Sequence, residues 1–100
     1  MRDVISRIPP RYRRDIKRAI KILKEEGCTE IFLFGSLVEG DIREDSDIDL
    51  AIRGCPPDKY FHILGKLLLE LDHSVDLVNL DREDAFAKHL EREGSLVYVS

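Results

Sequence analysis

One hundred residues, 43% of them hydrophobic, suffice for a single compact domain over 1–100 with one modest core, and leave too little chain for a second. Sixteen basic against twenty acidic side chains give a net charge of −4, which argues against a protein that coats nucleic acid through its overall field. The first ten residues, MRDVISRIPP, lack the apolar stretch of a signal peptide and no later run reaches membrane-spanning length, so a soluble, cytoplasmic protein without membrane contact is expected.

Pro9 and Pro10 stand where prolines are tolerated at a helix start, and Tyr12, Ile16, Ala19, Ile20 and Leu23 follow at helical spacing until Gly27. The spacing predicts a helix over 10–26. Its other positions hold Arg11, Arg13, Arg14, Lys17, Arg18, Lys21 and Lys24, which read as a solvated face, with contact to an acidic partner or RNA as the alternative. Cys28 and Cys55 fit neither a CxxC redox motif nor a four-ligand zinc pattern and are expected as free thiols. Residues 31–34, IFLF, read as a buried strand stopped by Gly35, and residues 47–52, DIDLAI, begin with the polar and apolar alternation of a strand with two unlike faces. Tyr60, Phe61, Ile63, Leu64, Leu67, Leu68 and Leu71 then mark a second long helix with a wide apolar face, weakened somewhat by Gly65. Residues 75–78 read as a third strand. Asp81 is expected to N-cap a last helix running to about Glu93, ended by Gly94, and residues 96–99 could add an edge strand. This alternation predicts an α/β (α+β type) fold, a mixed sheet of three to four strands flanked by helices.

Three features converge on one site. Gly35 and Ser36 follow a strand directly, Asp47 and Asp49 open the next strand and project from the same side, and Asp76 lies within the third. A carboxylate in a strand core is disfavoured unless compensated, and three on neighbouring strands repel one another and raise each other's proton affinity. A bound cation removes the conflict. Mg²⁺ suits such oxygen ligands because it uses a few carboxylates together with substrate phosphates, and two ions can serve both the attacking and the leaving oxygen of an in-line displacement. Gly35 lets backbone come close to a phosphate, while Ser36 offers a hydroxyl and an N–H at the first turn of a short helix. Ser46 is read as orienting the turn into the strand.

Residues 35–50, GSLVEGDIREDSDIDL, resemble the signature of the DNA polymerase β-type nucleotidyltransferase superfamily, and most of all its minimal (MNT) members. The closing residues 93–98, EGSLVY, are similar to the way those short proteins end. The resemblance implies a polymerase β-like fold and Mg²⁺-dependent nucleotidyl transfer. It carries Asp47 and Asp49 over as metal ligands, and Asp76 as the third carboxylate, a ligand and base for the acceptor hydroxyl. It also implies a HEPN-type partner protein, on which many relatives act as adenylylating antitoxins. Where relatives often carry arginines after Gly-Ser, this chain has Leu37 and Glu39 and keeps Arg43, so Arg43 is expected to join Gly35 and Ser36 in holding the nucleotide.

His62, His73 and His89 share no ligand spacing and are expected in surface or capping roles, while Tyr60 and Phe61 are explained as core. The reading is therefore an enzyme passing AMP from ATP, or another nucleoside monophosphate, to a hydroxyl of a partner protein. RNA ends or small molecules are less favoured acceptors. A chain this short leaves little surface to enclose an acceptor, so a second protein, a homo-oligomeric contact, or both should complete the site. The alternative is a non-catalytic nucleotide-binding or interaction subunit that neutralises a partner by contact.

Overall fold

In the computed structural model, residues 7–40, 42, 46–82, 85–93 and 96–100 are described. Helix α1 (Pro10–Glu25) starts with proline at its first position, as the missing N–H and fixed φ of proline allow, and closes through the Glu26 and Gly27 turn. After it come β1 (Glu30–Phe34), the short α2 (Ser36–Glu39), β2 (Ile48–Arg53), a 3₁₀ turn (Pro57–Lys59) and α3 (Tyr60–Glu70). Strand β3 (Val75–Asn79), α4 (Ala85–Glu93) and the two-residue β4 (Val97–Tyr98) complete the chain.

The four strands form one mixed sheet in the order β3-β2-β1-β4. β1 runs antiparallel to β2 and to β4, whereas β2 and β3 run parallel, joined by the crossover through α3. Because side chains alternate across a strand, the sheet has two chemically different faces. Ile31, Leu33, Ile48, Leu50, Ile52 and Leu77 point to one side and pack with Tyr12, Ile16, Ala19 and Leu23 of α1 and Ile63 and Leu67 of α3, forming the larger core. On the other side Phe34, Ala51 and Leu80 meet Ala87 and Leu90 of α4, with Phe32, Val78 and Leu96 packed against them.

The architecture is the expected mixed sheet with flanking helices. Two local expectations fail here: Phe61, expected in the core, is 78% exposed, and the two cysteines are paired. Among the described residues α4 begins at Ala85, and Asp81, expected as its N-cap, accepts the Gly54 N–H on Oδ2 at 2.7 Å, tying the β3 exit to the β2 exit. Cys28 and Cys55 are not free thiols but a disulfide. The cause lies in the β1/β2 register: Glu30 faces Arg53 and the Thr29 N–H donates to the Arg53 carbonyl, so extending the antiparallel pairing by two residues sets Cys28 opposite Cys55. No helix among the described residues is long and apolar enough to cross a membrane.

Candidate active site at the shared end of three strands

Antiparallel β1 ends where β2 begins, and parallel β3 begins there too, so the C-terminus of β1 and the N-termini of β2 and β3 meet at one edge of the sheet. In register, Phe34 faces Asp49 and Asp49 faces Asp76. These two carboxylates are therefore direct neighbours across a parallel ladder, on the face that carries Ala51 and Val78. Asp47 lies one residue ahead of β2 with the parity of Asp49. Asp47 and Asp76 are exposed, and Asp49 is half-buried between them.

Electrostatics follow from this arrangement. Burial, then the charges of Asp76, Asp47 and Glu39, push the Asp49 carboxyl up from its ordinary 3.8 to about 6. Burial and the charge of Asp76 also raise Tyr60, against an opposing pull from Arg82. The Tyr60 hydroxyl donates to the Leu77 carbonyl, one residue past Asp76, so the tyrosine expected in the core also borders the acidic site.

Gly35 connects the carboxylates to the Gly-Ser turn. Its φ of 77° lies in the region that favours glycine, and a Cβ there would stand 2.1 Å from Asp49 Oδ2. Only a residue without a side chain lets the Asp49 carboxylate rest on the turn. Ser36 is the first residue of α2, and the Gly35 carbonyl accepts the Val38 and Glu39 N–H groups at 3.1 and 3.0 Å. Leu37 is buried in the larger core, which explains an apolar residue in this turn, while Glu39 faces solvent and adds to the negative charge.

Asp47, Asp49, Asp76, Gly35 and Ser36 thus meet at one edge of the sheet. Arg43 lies outside the described residues. No three of the described His, Cys, Asp and Glu side chains already form a cluster that would hold a metal ion by themselves. A hard divalent cation there would draw its remaining ligands from water and phosphate oxygens, the habit of Mg²⁺. His62 and His89 are exposed, as expected of surface histidines. His73 departs from that expectation, with its ring stacked on Tyr12 at 4.1 Å and its Nδ1 2.7 Å from buried Asp15. Sequence reasoning did not find the contacts that Tyr12 and Asp15 make with His73, or the charge of Glu39 near Asp49. An aspartate on the apolar stripe of α1, one turn after Tyr12, was the available signal for the first two.

Comparison with known proteins points the same way. The family model described as Polymerase beta, Nucleotidyltransferase matches residues 17–100. Among curated proteins none matches the chain. The fold is similar to a crystal structure of a toxin-antitoxin with AMP-PNP, at 26% identity and a TM-score of 0.66, covering 82% of this chain and 69% of that one. It is also similar to a mutant of the toxin-antitoxin MntA-HpeT, at 26% identity and a TM-score of 0.65, covering 85% of this chain and 71% of that one. A third likeness, to the toxin-antitoxin MntA-HepT at 24% identity and a TM-score of 0.59, covers 84% of this chain and 68% of that one and speaks for the fold alone.

Proposed function

The chain belongs to the polymerase beta nucleotidyltransferase family, and within it we propose that this protein moves AMP from ATP onto a hydroxyl of a partner protein, as the antitoxin of a HEPN/MNT pair. The observation that carries the reading is the ladder pair Asp49 and Asp76, joined by Asp47 and resting on Gly35. Three carboxylates held together against their mutual repulsion, one with its proton affinity raised, form a site that favours a cation. The donors are all hard oxygens, so Mg²⁺ fits, with Asp47, Asp49 and Asp76 as its protein ligands. Bound there, Mg²⁺ would offset the negative charge on the α-phosphate and on the departing pyrophosphate.

The chain's own residues carry the remaining tasks. Gly35 and Ser36 receive the triphosphate, because a helix start leaves its first N–H groups without intrahelical partners and glycine admits close approach. Arg43 is assigned to the nucleotide on the strength of the resemblance. Asp76, exposed at the rim, takes the proton of the acceptor hydroxyl. The acceptor oxygen forms a bond to the α-phosphorus in line as the bond to the β-phosphate oxygen breaks, and pyrophosphate leaves.

AMP and a protein acceptor are supported by two of the similar structures being toxin-antitoxins at 26% identity, one of them solved with AMP-PNP. The test is to incubate the protein with Mg²⁺ and α-³²P-labelled ATP, GTP, CTP or UTP, with and without its genomic-neighbour protein. Label should appear on the neighbour, from ATP above the others, and vanish in the Asp47→Asn/Asp49→Asn variant. A tight complex without label under any condition would leave a binding subunit that acts by contact.

A further inference from the structure

Asp15 is the one charged side chain among the described residues that is buried, with 2% of its surface exposed. It lies in the first turns of α1, yet its partners are 57 and 58 residues away. Its Oδ2 accepts the Asp72 N–H at 2.9 Å and the His73 N–H at 2.8 Å, and stands 2.7 Å from His73 Nδ1. Tyr12, one turn earlier and fully buried, stacks its ring on His73 at 4.1 Å and donates its hydroxyl to the Ser46 carbonyl at 2.9 Å. The start of α1 thereby grips two segments. Ser46 immediately precedes Asp47, and His73 comes three residues before Asp76.

Those segments feed the two strands that carry the carboxylates. The β2/β3 ladder begins with Ile48 facing Val75, next to the Ile48 N–H bond to the Ser74 carbonyl at 2.8 Å, and Asp49 facing Asp76 is only its second pair. A ladder is least constrained at its end, where few hydrogen bonds oppose opening. Here that end also holds three like charges. A buried carboxylate is costly unless it is hydrogen-bonded, and this one is held by two backbone N–H groups and the His73 ring, which fixes α1 to the turn just ahead of β3.

We propose that Tyr12, Asp15 and His73 are positioning residues of the site, holding the start of β2 against the start of β3 so that Asp47, Asp49 and Asp76 keep the spacing a divalent cation requires. This rests on the assignment of those three aspartates as cation ligands in the function proposed above. Removing partners that orient metal ligands commonly weakens metal affinity by about 10- to 100-fold. The clamp acts one step further from the ion, so the lower end of that range applies.

The test is a titration of the full-length protein with Mn²⁺ alone, followed by the electron paramagnetic resonance signal of the free ion, for wild type, Asp15→Asn, Tyr12→Phe and the core variant Leu67→Ala. Thermal melts accompany each titration. Asp15→Asn should weaken Mn²⁺ binding about tenfold and Tyr12→Phe about threefold, while Leu67→Ala lowers the melting temperature yet binds Mn²⁺ as wild type does. In the labelling reaction the first two variants should lower kcat more than they raise KM for ATP. Wild-type Mn²⁺ affinity in Tyr12→Phe and in any folded Asp15→Asn protein overturns the proposal, as does a loss in Leu67→Ala equal to theirs. Should the variants bind Mn²⁺ weakly while wild type binds it well but transfers no nucleotide, the clamp stands and the catalytic reading falls.

Discussion

Half-buried beside two other aspartates, Asp49 holds its proton more tightly in the folded protein than in the unfolded chain, at about 6 against an ordinary 3.8. Stability from this group is therefore fully present below pH 4 and is lost as the pH rises through 6. Asp49→Asn should consequently stabilise the metal-free protein at pH 7 to 8, by about 1 kcal/mol once solvent screening of this partly exposed group is allowed for, and change little at pH 4. Urea melts in EDTA at the two pH values measure this. Nucleotidyl transfer should fall as the pH drops below 6 at limiting Mg²⁺, with a lower midpoint at saturating Mg²⁺ because cation and proton compete for the same oxygens. Gly35→Ala combines strain at a φ of 77° with a Cβ placed 2.1 Å from Asp49 Oδ2. It should cost roughly 1–3 kcal/mol and abolish transfer, read by a thermal melt and the labelling assay. That the aspartates and the Gly-Ser pair meet at one sheet edge was legible in the sequence, because alternation along residues 47–50 decides which side a carboxylate takes and Gly35 follows directly on a strand. Asp15 was not, since its partners are brought in by the tertiary fold.

Elements were legible where periodicity is strong and less so where a single residue had to decide. The apolar stripes of α1 and α3 and the runs in β1 and β3 predicted their elements to within one or two residues. Asp81, expected as a cap because an aspartate ahead of a helical pattern reads so, also offers its carboxylate to the Gly54 N–H across the sheet, a bond that the sequence pattern does not announce. The Cys28–Cys55 bond requires the β1/β2 register, which only the folded ladder supplies. With its ends 27 positions apart in sequence, the bridge should contribute about 2–4 kcal/mol against the reduced chain, so Cys55→Ser should lower the urea midpoint accordingly. The outer face of α1 remains cationic and exposed at Arg11, Arg14, Lys17 and Lys21, while Arg18 donates to the Glu70 carbonyl and Lys24 to that of Thr29. As a solvated face it should tolerate Lys17→Gln and Lys21→Gln with changes of less than about 0.5 kcal/mol in the same melts.

At the scale of the whole molecule, the sheet divides the labour. One face is closed by α1 and α3 and holds most of the core, while the other carries α4 at one part and the acidic edge at another. The carboxylates thus sit at the rim of a rigid platform, with α1 bonded to the chain just ahead of β2 and of β3. A rim is accessible to a second macromolecule. That placement suits the proposed reading of an enzyme that works on a partner protein. Its most direct test is the intact mass of the genomic-neighbour protein after co-expression with wild type or with the Asp47→Asn/Asp49→Asn variant. A gain equal to one or more AMP groups, present with wild type and absent with the variant, is the result predicted here. An unchanged neighbour that still forms a tight complex with the wild-type protein would contradict it.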